Sequence, residues 1–256
     1  MDAVSGAWAT LVREALLDAV ALVLPVACAG CGADGRELCD ACRARLRAAE
    51  PVRTVAPGGI RVFAGAAYGD LVQRVVLAAK DGRTGLATPL AGLLTAAVAL
   101  AVDDEAVPDA AEACAIPSSR AAFRRRGYDP VRLVLARAGI RHVRVLRPAR
   151  PHRTQKGLAR DDREANLRGV HRARGPLDGR VFVLVDDVVT TGATLAEAAR
   201  AIRHAGGEVV AAVAIAATPL RSARRARLTR SPQRKAGDNP DGPGYGGRKG
   251  AKETTA

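Results

Sequence analysis

Apolar positions along this chain change period several times, and each change marks an element. From 3 to 24 they recur at helical spacing (Trp8, Leu11, Val12, Ala15, Leu16, Ala19, Val20, Val23), which predicts a helix stopped by Pro25. Between Val52 and Ala67 two short apolar runs flank Pro57-Gly58-Gly59, the pattern of a hairpin. Helical spacing returns after Tyr68-Gly69-Asp70 with Leu71, Val75, Val76 and Ala79, and ends at Lys80-Asp81-Gly82-Arg83. A second helix, rich in Ala and Leu, is expected over 86–102, and an acidic linker over 103–109 closes this half.

The second half carries apolar runs without alternation: 110–116, 142–146, 181–185 and 208–217. Unbroken runs of small and branched residues read as strands buried on both faces, as in a parallel sheet. Helical patterns at 131–138 and from about Thr194 (Leu195, Ala198, Ala199, Ile202, Ala205) fall between them. The predicted fold is therefore α/β, a parallel sheet with helices on both faces, preceded by a small module. Its parts are 1–50, an N-terminal helix and cysteine ribbon; 51–109, a hairpin and helical connector; and 110–218, the α/β core. The remainder, 219–256, is basic and rich in Gly and Pro, and is expected to be disordered. The polar stretch 148–171 has the length and character of a lid. Its His152 and His171 are candidates for acid–base work by type, but each reads more simply as a surface histidine.

Composition sets bounds on this picture. The 256 residues are 48% hydrophobic but only 3% aromatic, so a core must be built mainly from Ala, Val and Leu. The net charge of +14 is uneven: 117–174 holds seventeen basic and four acidic residues, and 221–256 holds ten and three. Such segregation suits a polyanionic ligand, nucleic acid, or an Arg-rich solvated surface. The apolar stretch 15–24 is short and contains Asp18, and no other stretch approaches membrane length, so a cytoplasmic protein is expected.

Cys28-Ala-Gly-Cys31 and Cys39-Asp-Ala-Cys42 form two C-x-x-C knuckles. Four thiolates at this spacing match a closed, structural Zn²⁺ site, and so compact a ribbon depends on the metal to fold. A disulfide pair or a redox C-x-x-C fits a cytoplasmic chain with two adjacent motifs less well. The fifth cysteine, Cys114, falls inside a predicted strand and reads as a small buried side chain.

The densest chemistry lies in VFVLVDDVVTTGATL, Val181 to Leu195. A strand ends in Asp186 and Asp187, then come Thr190, Thr191, Gly192, Ala193 and Thr194, then a helix. Beyond the carboxyl end of a strand in an α/β sheet lies the ligand crevice, and a helix N-terminus there attracts phosphate. Paired carboxylates accept hydrogen bonds from vicinal hydroxyls, so the loop could hold a ribose 5-phosphate at both ends. An Arg-rich loop, Ser118-Ser119-Arg120 with Arg124, Arg125 and Arg126, follows another strand and could grip pyrophosphate. Lys156 and Arg160 in the polar stretch are further phosphate ligands by type.

This segment resembles the phosphoribosyl pyrophosphate (PRPP) motif of type I phosphoribosyltransferases, in which the acids hold the ribose hydroxyls and the Thr-rich loop wraps the 5-phosphate. The whole order, from N-terminal helix and C-x-x-C pairs to the PRPP motif, resembles the ComF/GntX family over about residues 15–218. Pro117, Arg120, Arg124 to Arg126, Gly127 and Tyr128 match the family's RG[FY] stretch. Gln155, Leu158, Arg163 and Asn166 keep most of another pattern, with His152 at its leading threonine. Asp129-Pro130 replaces the usual Asn-Gln, and Lys80-Asp81 the usual Lys-aromatic pair.

The resemblance implies a PRPP-binding domain, with Mg²⁺ bridging pyrophosphate and ribose, tied to handling single-stranded DNA alongside DNA-uptake proteins. Two functions follow. One is an enzyme transferring the phosphoribosyl group to a base or amine, with Asp187 a possible proton acceptor. The other is a non-catalytic PRPP sensor or single-stranded-DNA adaptor. A structural subunit docked through the ribbon is a third.

Overall fold

The computed structural model describes residues 26–149 and 169–218. The predicted N-terminal helix, most of the polar stretch with Lys156 and Arg160, and the basic tail lie outside the described residues. The chain divides into two compact units, 1–220 and 221–256, and every described residue belongs to the first.

The cysteine knuckles lead into α1 (Asp40–Arg47). Strands β1 (Val52–Ala56) and β2 (Ile60–Ala64) make the predicted hairpin, antiparallel and turned at residues 57–59. Helix α2 (Asp70–Lys80) follows, then a 3₁₀ turn (Thr84–Leu86) and α3 (Ala87–Asp103). Strand β3 (Glu112–Ala115) leads to α4 (Arg120–Arg126) and α5 (Pro130–Arg137). Short strands β4 (Leu146–Pro148) and β5 (His171–Ala173) pair with each other. Strand β6 (Val181–Val189), α6 (Ala193–Arg203) and β7 (Glu208–Ala217) complete the described chain.

The main sheet runs β1-β2-β7-β6-β3, with every pairing parallel except the β1–β2 hairpin. The hairpin, expected as part of a connector ahead of the core, is thus one edge of the core sheet itself. Its Arg61–Ala64 run lies beside 211–214 of β7. Both faces are covered, as the unbroken apolar strands require. One face packs α2, α3 and α5 around Val75, Leu90, Leu94, Leu135, Val185 and Val213. The other packs α6 through Leu195, Ala198 and Ile202 onto Phe182, Leu184 and Ala212. Aromatics contribute little beyond Phe63 and Phe182, so Ala-rich β7 lets the helices approach closely.

Helix α3 with its preceding turn, Thr84–Asp103, is long and apolar enough by composition to cross a membrane, contrary to the reading of the sequence. Seven of its residues are buried in the core, and it packs on β7, β2 and α5.

Two strands differ from expectation. Residues 142–146 do not form a strand: Val143 makes a single parallel bridge to Cys114, and the regular pairing starts at Leu146. Strand β6 does not stop at Val185 but runs through both aspartates to Val189. Strand β7 extends far enough to pair with it up to Val189↔Ala217, and the Thr218 N–H caps the end on the Val189 carbonyl.

Connections at the sheet's centre diverge. After β3 the chain returns on the side away from β6, at Val143, whereas after β6 it crosses through α6 to β7 on the opposite side. The crevice between the carboxyl ends of β3 and β6 is therefore a topological switch point, where α/β sheets bind ligands.

Candidate functional site

Asp186 and Asp187 lie at this crevice, toward the carboxyl end of β6. Adjacent strand residues project to opposite faces, so the two acids have different surroundings. Asp187 reaches Lys80 at the C-terminus of α2, with Nζ to Oδ2 at 2.8 Å and both side chains largely covered. Asp186 accepts the Asp187 N–H at 2.8 Å. Burial, and then the neighbouring charge of Asp187, push the Asp186 carboxyl up to about 8, against the pull of that N–H and of Lys80. The pair is thus asymmetric: one carboxylate held by an ammonium, one acid that keeps its proton near neutral pH.

Beyond β6 the loop is short. Thr190 and Thr191 are exposed, and α6 begins at Ala193, one residue before the expected start. The Ala193 N–H donates to Thr191 Oγ1 at 3.3 Å, and Thr194 sits in the first turn of this eleven-residue helix. Gly192 has φ +74°, and a Cβ there would stand 2.6 Å from the Ala56 Cβ and 3.0 Å from Pro57 Cδ. The glycine is therefore needed both for the left-handed turn and for contact with the β1–β2 hairpin.

The arginine-rich loop faces the same crevice from β3. Ser119 caps α4 by accepting the Ala122 N–H at 3.2 Å, and Gly127 ends the helix with φ +76°. Asp129 caps α5 on the Val131 and Arg132 N–H groups at 3.1 and 3.3 Å, with Pro130 as first helical residue. Its second oxygen takes the Ser118 N–H at 3.4 Å. The replacement of Asn-Gln by Asp129-Pro130 is thus a well-formed helix start. Tyr128 donates its hydroxyl to the Ala79 carbonyl, fastening this loop to the end of α2 beside Lys80. The three arginines do not act together: Arg126 turns in to Ser118 Oγ at 3.4 Å, Arg125 is exposed, and Arg124 lines a separate cavity.

Two features escaped the sequence reading. In the resemblance Lys80 is only the kept lysine of a Lys-aromatic pair whose aromatic is replaced by Asp81, yet it pairs with Asp187 from more than a hundred residues away. Glu197 and His171 are both buried, although His171 was expected at the surface. Glu197, on α6, takes the Gly169 N–H at 2.8 Å and the Arg200 guanidinium at 2.7 and 2.8 Å. It therefore fixes the returning end of the polar stretch against the motif helix. Its spacing to Arg200, i,i+3, was the available signal.

In the cysteine module the four sulfurs of Cys28, Cys31, Cys39 and Cys42 lie within 4.8 Å of one another. That separation suits four ligands about 2.3 Å from one Zn²⁺, so the donor set fits a closed tetrahedral site. Burial acts on Cys28, but N–H donors from Cys39, Cys31 and Gly30 overcome it and draw its thiol down to about 6. Burial and the neighbouring sulfurs push Cys42 up to about 12. The module is braced on α2: Arg74 Nε donates to the Gly30 carbonyl at 2.7 Å, and Arg83, just past the helix, to that of Ala27 at 2.6 Å. Gly30 itself packs so tightly that a Cβ would meet Cys42 Sγ at 2.6 Å.

Comparison with known proteins agrees with this geometry. The family model of the phosphoribosyl transferase domain matches residues 132–234, which include both aspartates and the loop to α6. This chain carries a phosphoribosyl transferase domain. The DNA utilization protein YhgH of Escherichia coli K12 is 44% identical over 57 residues, and its counterpart in Shigella flexneri matches equally. That stretch is 22% of this chain and spans a quarter of the length of those curated relatives. With the four-cysteine cluster ahead of the phosphoribosyl transferase domain, the resemblance to the ComF/GntX family is borne out.

Proposed function

We propose that the crevice between β3 and β6 binds PRPP. The observation that carries this reading is the pair of unlike acids set beside a helix N-terminus at the sheet's switch point. Asp186 and Asp187 accept the ribose hydroxyls, and Thr190, Thr191, Gly192, Ala193 and Thr194 wrap the 5-phosphate with hydroxyls and the free amides of α6. Of the arginines expected on the pyrophosphate, Arg126 and Arg125 remain for this crevice, with Lys156 and Arg160 of the polar stretch beside them, while Arg124 lines the separate cavity. Lys80 holds the Asp187 side chain in place.

Mg²⁺ fits these residues as a guest of the substrate rather than of a protein cage. Lys80 already occupies one oxygen of Asp187, and Mg²⁺ prefers phosphate oxygens, water and one or two carboxylates. When bound it neutralises charge on the departing pyrophosphate. The chain's own contribution is orientation: fixed acids, a rigid helix start and arginines aimed at developing negative charge.

On this reading the protein transfers a phosphoribosyl group to a base or amine, in a role connected with DNA uptake. The second reading, a non-catalytic PRPP sensor or single-stranded-DNA adaptor, is favoured by the excess of arginine over acid in 117–174 and by the name of the YhgH relatives. Pyrophosphate release decides between the two. Zinc-loaded protein with PRPP and Mg²⁺ is screened against bases and amines. Release with one acceptor supports the transferase, and binding of PRPP without release from any acceptor supports the sensor or adaptor.

A further inference from the structure

A second cavity, of about 330 Å³, opens beside the crevice but on the far side of β3. Ala115 and Val143 line it, beside the Cys114–Val143 bridge at the sheet's outer edge, and neither Asp186 nor Asp187 does. Five arginines do: Arg120 and Arg124 from α4, Arg132 from α5, Arg144 ahead of β4, and Arg174 after β5. Among the described residues none of the five is in an ion pair or donates a side-chain hydrogen bond, and the Arg132 Nε is buried with no partner at all. One carboxylate lines the cavity, that of Asp129, and three backbone N–H groups already occupy it.

The local field is correspondingly positive. His142, also in the wall, is held below its ordinary pKa by burial and then by the charges of Arg132 and Arg144, with Asp129 opposing weakly. With the one lining carboxylate already committed to backbone N–H groups, the buried Arg132 Nε and the guanidinium groups around it favour an anion from outside. Phe123 adds the missing half of a recognition site. It lines the same cavity, is 46% exposed although large and apolar, and offers a ring face on which a base can stack. The volume lies at the small end of ligand pockets, enough for one nucleotide.

We propose that this cavity is a nucleotide site, taking a phosphate ester that carries a base, separate from the acid pair. Arg132 holds the phosphate deepest, the exposed Arg120, Arg124, Arg144 and Arg174 close around it, and Phe123 stacks the base. The ligand is either a free nucleotide or a nucleotide unit of a strand, since both present the same phosphate and base. This inference does not depend on PRPP binding at the crevice.

The test uses the full, zinc-loaded chain with deoxyadenosine monophosphate as probe, read by calorimetry and by NMR of the His142 ring. Saturable binding that raises the His142 pKa is expected. Arg132→Gln with Arg144→Gln, the two arginines whose charges act on His142, should weaken it about tenfold or more. Phe123 is exposed, so Phe123→Ala leaves the fold intact; it should weaken the nucleotide several-fold and leave inorganic phosphate unchanged. Asp186→Asn should leave nucleotide binding untouched. A short oligodeoxyadenylate binding more tightly than the mononucleotide, and losing affinity in the same variants, identifies a strand as the source; the reverse order identifies a free nucleotide. No saturable binding, an unmoved His142, or binding that PRPP competes away and Asp186→Asn abolishes would overturn the proposal.

Discussion

The carboxyl ends of β6 and β3 are neighbours in one sheet, yet they are made by different means. At β6 the chemistry is contiguous: Asp186 to Thr194 supply acids, hydroxyls and a helix start within nine residues. At β3 it is assembled, with arginines from α4, α5 and the flanks of β4 and β5 brought to one wall. The acids of β6 are satisfied internally, by Lys80 and by a backbone N–H. Most of the arginines beyond β3 are not satisfied by anything in the described chain. A preorganised, self-partnered site and a charge-rich, unpartnered one thus share an edge, held together by Tyr128 and Asp129.

Helix α2 links both ends, because it carries Lys80, receives Tyr128 and is braced by the cysteine module. Zinc removal is therefore the largest perturbation. Stripping the metal, or Cys42→Ser, should lower the Tm by roughly 10 °C or more and weaken both sites together. A metal-free protein with unchanged melting and binding would show that the module is independent of the core.

Gly192→Ala comes next. The positive φ and the 2.6 Å approach to Ala56 should cost about 2–4 kcal/mol, and should damage the β6 end while sparing the β3 end. Denaturant unfolding measures the first effect, and ligand titration of each site the second. Lys80→Met should be smaller, about 1–2 kcal/mol, because the pair is only partly buried. It also leaves Asp187 without its cation, so binding at β6 should fall while the arginine wall is unaffected.

The last effect is a pH dependence that belongs to β6 alone, read as a trend with pH rather than as a single stability difference. Unfolded, Asp186 loses its proton near pH 4; folded, it keeps it to about 8. The folded state therefore holds a proton that the unfolded state releases across this window, and raising the pH from about 4 to about 8 costs stability. Asp186→Asn removes that cost. The variant's Tm should gain on the wild type through the window and level off above it; a constant offset would mean that Asp186 titrates normally.

What was legible in the sequence follows the same division. Strand β7 falls on the expected residues 208–217, the hairpin and the two helices after it are where the periodicity put them, and the cysteine cluster closes as its spacing requires. These are local patterns. The sheet position of the hairpin, the Lys80–Asp187 pair and the arginine wall depend on contacts between distant segments, which no window of sequence contains. Residues 142–146 show the limit from the other side: His142, Arg144 and Val145 have strand-like neighbours, yet Val143 alone bridges β3, because the chain diverges to begin β4. The contact of Gly192 with Ala56 is tertiary in the same way.

The central claim is that the unlike acids and the start of α6 form a PRPP site. Calorimetry of PRPP with Mg²⁺ on zinc-loaded protein tests it most directly, beside the Asp186→Asn, Asp187→Asn double variant. A saturable exothermic isotherm is expected for the wild type, weakened about a hundredfold or more in the variant, which should remain folded. No heat from the wild type, or equal affinity in the two proteins, would contradict it.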